Sequence, residues 1–299
     1  MRRQPFLRNK DLSFGMMMKL KTKQAWIGAG FALPALIGIF LFYLIPYCIS
    51  LYYGFTLQNQ FVGFNNFIAL MKSNTFWLSM KNTAIFTVIA VPLAIVIPLL
   101  ISLFLSTFKK FTDLIGSLFL SPLIVPAASV IYVWQIFFTD YGVVNNLLQK
   151  LGLDPITFFK GSWSMALLIV IFVWKNCAYN IILFSAGLKK IPKDVREFAY
   201  LDGASRSQVI RKIVLPLLRP TTFFVLLLTV ISSFKIFREA YLLYGMYPDE
   251  NVYMIQHFMN NNFYNLNYPR LSTASIILSI FVIAIMLVTF LIERRSDNG

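Results

Sequence analysis

Six long apolar segments constrain the fold of this chain more than any other feature. A helix needs about 20 mostly apolar residues to cross a hydrocarbon layer, and six stretches reach that length: residues 26–53, 82–108, 115–138, 164–188, 221–244 and 272–292. Apolar residues make up 58% of the chain and charged residues 13%, which excludes an ordinary soluble domain. We therefore predict an all-α, polytopic integral membrane protein with six transmembrane helices in one membrane domain, residues 26–292.

Basic residues lie mainly on one side of these segments. With the N-terminus inside, the outer loops hold only Lys72, Lys81, Lys150, Lys160 and Arg270. Because short cytoplasmic loops are enriched in Lys and Arg, both termini are predicted to be cytoplasmic, as an arm of residues 1–25 and a tail of residues 293–299. This asymmetry accounts for most of the net charge of +15 without nucleic acid as a partner. The basic arm either contacts membrane lipid or is simply solvated.

Prolines are clustered in the first three segments, where they predict kinked or broken helices. Such irregular helices either surround a translocation path or reflect ordinary packing. The prolines concerned are Pro34, Pro46, Pro92, Pro98, Pro122 and Pro126.

Three loops predicted to be outside contain recognisable patterns. Residues 56–77 mix amides, glycine and phenylalanine, which indicates a short ordered element at the membrane interface. Residues 141–152 have the spacing of a small amphipathic helix. Residues 247–270 are rich in Asn and Tyr, which suits either a docking surface for an extracellular partner or sugar, or a solvated loop of no specific role.

A charged stretch, residues 192–220, interrupts the apolar segments on the predicted cytoplasmic side. Val195, Phe198 and Leu201 give one apolar helical face, opposite a charged face. Gly203 permits the positive φ that ends a helix, and Ser205 is suited to cap a second short helix. This pattern predicts either a docking site for a soluble protein or an amphipathic re-entry loop.

The letters EFAYLDGA at residues 197–204 and IVLPLLRP at residues 213–220 resemble the cytoplasmic EAA loop of permease subunits in binding-protein-dependent ABC importers. Phe198 departs from the pattern, because that family usually has Ala there. The resemblance implies that the loop couples the chain to an ATPase, with Glu197 pairing with a basic ATPase residue and Gly203 forming the turn. The coupling residues it implies are Glu197, Ala199, Asp202, Gly203, Ala204, Leu215 and Pro216.

Further likeness points to the carbohydrate-uptake branch, of the maltose and glycerol-phosphate permease type. It is carried by LPA at residues 33–35, YLIP at 43–46, FVGFNNF at 61–67 and AGL at 186–188. The resemblance implies the transmembrane domain of a type I ABC importer in a bacterial-type cytoplasmic membrane. Implied partners are a second homologous permease, two ABC ATPase subunits and an extracytoplasmic solute-binding protein.

Catalytic and metal sites are not predicted in this chain. It lacks a Walker-type phosphate loop and obvious acidic magnesium ligands, so ATP and Mg are expected to bind the partner ATPase subunits. His257 is the only histidine and lies in an outer loop, which argues against a membrane enzyme. Cys48 and Cys177 show neither disulfide nor metal-ligand spacing.

Polar groups inside the fourth and fifth segments predict a substrate path, because buried charges in membranes usually face a cavity or the bundle interior. The candidates are Lys175, Asn176, Asn180, Lys235, Arg238 and Glu239, with Tyr241 or Trp174 stacking on a sugar. Three cations against one anion favour an acidic ligand, such as a uronate-bearing oligosaccharide. Alternatively, Lys235 or Arg238 pairs with Glu239 and the other extends outward. A second function class, an ion-driven secondary transporter or channel, leaves the pattern at residues 197–216 unexplained.

Overall fold

The computed structural model describes residues 27–107 and 127–297, which are helical apart from one small hairpin and short connections. The first half contains α1 (Ile27–Phe55), β1 (Thr56–Leu57), β2 (Gln60–Phe61), α2 (Asn65–Met71), α3 (Asn74–Leu105), α4 (Ala127–Phe138), α5 (Val143–Lys150) and α6 (Ser162–Lys190). The second half contains α7 (Lys193–Leu201), α8 (Arg206–Val209), α9 (Arg219–Ser233), α10 (Phe237–Tyr244), α11 (Ile255–Tyr264) and α12 (Tyr268–Asp297).

Among the described residues, five stretches are long and apolar enough to cross a membrane. They are α1, α3, α6, the combined Arg219–Tyr244 and most of α12. Five of the six predicted segments are therefore confirmed as apolar helices of spanning length. The sixth, residues 115–138, lies outside the described residues except for α4.

Helices α3 and α6 form the centre of the bundle, and α9 packs against both. Phe86 and Phe172 meet edge to face at the α3–α6 contact, with ring centroids 5.3 Å apart, and both are fully buried. In contrast, α1 exposes almost all of its apolar side chains and packs along α12. Gly54 allows this close approach, since a Cβ there would lie 2.6 Å from the Ile276 side chain.

The prolines of the described helices do not interrupt them, and kinking at these positions stays a prediction. Helix α3 runs unbroken through Pro92 and Pro98. In α1, Pro46 follows a π-helical turn, Phe40–Leu44, which shifts the hydrogen-bond pattern so that the Ile45 N–H donates to the Phe40 carbonyl. Pro122 and Pro126 lie outside the described residues.

The break occurs instead in the fifth predicted segment, which contains no proline at that point. Helix α9 ends at Ser233 and α10 begins at Phe237. The predicted spanning segment over residues 221–244 is confirmed in length, but it is interrupted at residues 234–236, where the Phe234 carbonyl accepts a hydrogen bond from a distant loop.

The loops predicted to be outside contain regular structure. Gln58 and Asn59 have positive φ values of 49° and 64°, which is typical of the two-residue turn of a hairpin, and α2 follows directly. Helix α5 confirms the amphipathic helix predicted over residues 141–152. The third loop forms α11, in which Asn261 and Asn262 are buried, so it is not a uniformly solvated segment.

Candidate functional site

The charged stretch forms two short helices joined by a tight turn. Gly203 has a φ of 82°, and the Ala204 N–H donates to the Ala199 carbonyl at 3.0 Å. This combination is the Schellman ending of a helix, for which glycine is favoured because it has no side chain to clash at positive φ. Open space surrounds Gly203, so the requirement for glycine comes from the backbone.

Ser205 starts the second helix as predicted. Its side chain accepts from the Gln208 N–H at 3.4 Å, and the Gln208 side chain accepts from the Ser205 N–H at 2.7 Å. This reciprocal pair is a capping box, which satisfies two backbone donors that the helix start would leave unpaired. Beyond α8 the chain passes through a π-helical turn, Ile210–Val214, before Pro216 returns it to the bundle.

One side of this loop is anchored in the bundle. Val209, Val214 and Leu218 are buried against Leu188 and Ile191 at the end of α6. Among the residues predicted to couple to an ATPase, Ala199 and Ala204 pack against this cluster, while Leu215 and Pro216 are half-buried.

The opposite side of the loop is uncovered. Phe198 and Leu201 are 65% and 81% exposed, and Val195 and Tyr200 are also exposed. Glu197, Asp202 and Gly203 are exposed beside them. An apolar face on a firmly anchored base is the arrangement of a docking surface.

The charged residues of the predicted substrate path meet around Glu239. Lys175, from α6, places its ammonium nitrogen 2.5 Å from one carboxylate oxygen of Glu239, and Arg238 contacts the same oxygen at 3.4 Å. The Glu239 side chain is 2% exposed, whereas those of Lys175 and Arg238 are 41% and 65% exposed. The Arg238 contact was predicted as an alternative; the closer Lys175 contact was not.

The second oxygen of Glu239 is buried and has no hydrogen-bond partner among the described residues. Lys235 is exposed one helical turn earlier, at the break between α9 and α10. It has no carboxylate within 4 Å in the described ranges, where the ion pairs involve Glu239 alone. Cations thus remain in excess at this point.

The two asparagines occupy different environments. Asn180 is 1% exposed and donates to the Ala94 carbonyl at 2.7 Å and to the Thr229 hydroxyl at 3.2 Å, so it ties α3, α6 and α9 together. Asn176 is half-buried and donates to the Phe172 carbonyl of its own helix at 2.8 Å.

The aromatic candidates lie near the ion pair. Trp174 is exposed and meets Trp134 edge to face, with centroids 5.6 Å apart. Tyr241 is half-buried and contacts Phe237 at 5.6 Å. Whether either ring stacks on a sugar stays a prediction.

Sequence reasoning did not predict the residue whose side chain bonds to the backbone at the break between α9 and α10. The Gln256 side chain, from α11, donates to the Phe234 carbonyl, which the interruption of the helix leaves without its usual partner. A signal was present in the pair Ser232 and Ser233 followed by Lys235, which makes the middle of an apolar segment polar.

His257 follows Gln256 in sequence and is fully buried. Its Nδ1 accepts from the Met254 N–H at 3.3 Å. Its Nε2 is buried without a partner in the part of the chain described. Burial lowers the pKa of His257 to about 4, because the interior disfavours the charged imidazolium. His257 is therefore a neutral, structural residue at neutral pH.

A family of binding-protein-dependent transport system inner membrane components matches residues 66–299. The chain belongs to this family. It is accordingly a multi-pass protein of the cytoplasmic membrane and a permease subunit.

Two curated relatives of the permease align along nearly their full length. It is 31% identical to the trehalose/maltose transport system permease protein MalF of Thermococcus litoralis, over 93% of this chain and 98% of that protein. It is 30% identical to the sn-glycerol-3-phosphate transport system permease protein UgpA of Agrobacterium fabrum, over 89% of this chain and 94% of that protein.

Among solved structures, the permease resembles a chain of a bacterial ABC transporter involved in the import of the acidic polysaccharide alginate. The TM-score is 0.82 at 25% identity, covering 93% of this chain and 99% of that chain. The fold is therefore that of an ABC importer permease.

Proposed function

We propose that this permease is the translocation subunit of an ATP-driven ABC importer for an acidic sugar or oligosaccharide. A solute-binding protein delivers the ligand outside, a second homologous permease completes the path, and two ATPase subunits hydrolyse ATP with Mg on the cytoplasmic side. The permease itself is non-catalytic. The observation that carries the proposal is the uncovered apolar face of α7 on a buried base.

Coupling to the ATPase is supported by the shape and chemistry of that face. Phe198 and Leu201 offer an apolar knob, and Glu197 adds an exposed carboxylate for a basic partner residue. Val209, Val214 and Leu218 connect the knob to the ends of α6 and α9. Because packed cores shift as rigid units rather than deform continuously, motion of the knob would move whole helices.

Glu197→Lys tests coupling. We expect it to abolish uptake and ligand-stimulated ATPase activity of the assembled transporter, while membrane insertion remains normal. Asp194→Lys is the matched control, because Asp194 is an exposed acid on the same helix outside the predicted coupling residues. Normal uptake with Glu197→Lys would overturn the assignment.

Sugar as the ligand class is supported by the relatives, whose names specify trehalose and maltose, arabinooligosaccharides and other sugars or sugar derivatives. Several relatives name anionic ligands, sn-glycerol-3-phosphate and sulfoquinovosyl glycerol. The alginate importer also takes an acidic polysaccharide. In this chain, the excess of cations at Lys235, Arg238 and Lys175 over Glu239 favours an acidic ligand too.

Competition separates the ligand classes. In proteoliposomes containing the full transporter, a uronate trisaccharide should inhibit uptake of the transported solute, whereas maltotriose should inhibit that uptake only weakly. Lys235→Gln should weaken the inhibition by the uronate roughly tenfold, the size expected for losing one charge-assisted contact. Lys150→Gln, an exposed cation on α5, should leave it unchanged. Indifference to acidic sugars would remove the acidic-ligand proposal but not the importer.

An ion-driven mechanism remains the competing function class. ATP-driven uptake should be sensitive to vanadate and insensitive to ionophores, and the opposite result would favour ion coupling.

A further inference from the structure

A cleft lies behind the docking face, between the coupling loop and the ends of α3 and α6. It consists of cavities of about 470 Å³ and 260 Å³. The two cavities adjoin, because Ser106, Leu188, Lys193 and Arg196 line both. Phe198 and Leu201 do not line the cleft, whereas Glu197 and Tyr200, at the edge of the docking face, line its larger cavity.

The larger cavity carries excess positive charge. Lys193, Arg196 and Arg206 line it, against the single carboxylate of Glu197. In the described parts of the chain, no carboxylate lies within 4 Å of any of these three cations, since the ion pairs found there involve Glu239. Arg196 is half-buried. A half-buried guanidinium with no ion-pair partner within 4 Å among the described residues, in a cavity where cations outnumber carboxylates, is a ready site for an anion.

Charged groups supply most of the donors, because the two aliphatic hydroxyls of the larger cavity are already engaged. The Ser106 hydroxyl donates to the Leu103 carbonyl and the Thr107 hydroxyl to the Phe104 carbonyl, both at 2.7 Å. Both donors are thus already used within α3 and the turn that follows it. The anion would be bound by guanidinium and ammonium groups, which favour phosphate or carboxylate.

Apolar side chains form the rest of the wall. Leu103 and Leu188 line the cavity at the ends of helices long enough to span the membrane, and Val214 of the coupling loop adds to this apolar wall. A soluble anion would leave this apolar wall uncovered. A phospholipid would cover it with its glycerol backbone and first methylenes, while its phosphate meets the cations.

We infer that this cleft binds the headgroup phosphate of an anionic phospholipid from the leaflet on the coupling-loop side. The lipid would lie between the coupling loop and the bundle, in contact with both. This binding does not depend on which solute the permease carries, so its failure would leave the proposed transport function intact.

The test measures retention of dioleoylphosphatidylglycerol by the purified, assembled transporter, using native mass spectrometry over a lipid titration. Arg196→Gln should weaken retention about fivefold, the effect expected for one basic residue near a membrane surface. Lys193→Gln should act in the same direction, which provides a second variant if Arg196→Gln fails to assemble. Arg211→Gln is the matched control, because Arg211 is exposed on the same loop but does not line the cleft.

Three outcomes would overturn the inference. The first is equal retention by the Arg196→Gln and Arg211→Gln transporters. The second is equally tight retention of dioleoylphosphatidylcholine, whose headgroup has no net charge. The third is displacement by millimolar inorganic phosphate, which would identify a soluble-anion site instead.

Discussion

Removing the ammonium group of Lys175 should destabilise the permease strongly, because it leaves Glu239 as a poorly compensated buried carboxylate. Losing one partner of a buried ion pair typically costs about 3–5 kcal/mol. Arg238 would remain 3.4 Å from the Glu239 oxygen that Lys175 contacts, but its side chain is 65% exposed. We therefore expect Lys175→Gln to lower the free energy of unfolding by about 2–3 kcal/mol. At roughly 2–4 °C per kcal/mol, the melting temperature should fall by about 4–12 °C.

The double variant Lys175→Gln with Glu239→Gln should recover most of that loss, because two neutral amides can hydrogen-bond across α6 and α10 without a buried charge. Glu239→Gln alone should cost less than Lys175→Gln, since the Lys175 side chain left behind is 41% exposed. Thermal unfolding of the purified transporter in detergent measures all three variants. Additive effects of the two substitutions would refute the pairing, as would a Lys175→Gln protein as stable as the parent.

Three further predictions concern single residues. Gly203→Val should uncouple ATPase activity from ligand binding and lower the free energy of unfolding by about 1–2 kcal/mol, because a φ of 82° strains any residue with a Cβ. Gly203→Asn should have a smaller effect on both. Burial lowers the pKa of His257 to about 4, below its unfolded value of about 6.5. The melting temperature should therefore fall as the pH is lowered from 6.5 towards 4, because the unfolded state takes up the proton first. His257→Phe should reduce this decrease. Gln256→Ala should increase hydrogen exchange around Phe234, whose carbonyl loses its donor.

Local signals in the sequence predicted the coupling loop well. The positive φ of Gly203 and the cap at Ser205 depend on residues within three or four positions of one another, so a single sequence contains what is needed. The amphipathic spacing of Val195, Phe198 and Leu201 likewise predicted a face, and the structure leaves it exposed.

Long-range contacts were beyond such reasoning. Lys175 and Glu239 are 64 positions apart, and their pairing depends on how α6 packs beside α10. Gln256 braces Phe234 across 22 positions, and nothing in its own surroundings marks it. Proline was also a poor guide, because α3 accommodates Pro92 and Pro98 without interruption whereas the fifth segment breaks without one.

The position of the break gives the proposed transport mechanism a physical connection between its two ends. Helix α9 has 15 residues, a length of about 22 Å at 1.5 Å per residue. Its first residue follows the coupling loop, and its last adjoins the break that exposes Lys235. A displacement of the loop would therefore reach the cations as a rigid movement of one helix.

The loop predicted to be outside contacts the same break. The Thr83 hydroxyl of α3 accepts from the Ile255 N–H at 2.9 Å, which fixes the start of α11, and Gln256 holds the Phe234 carbonyl. A partner that shifted α11 from outside would pull on this carbonyl and so on α10, which carries Glu239. In the proposed mechanism, displacements from both ends of the permease would therefore reach the break, beside the ion pair of Lys175 and Glu239.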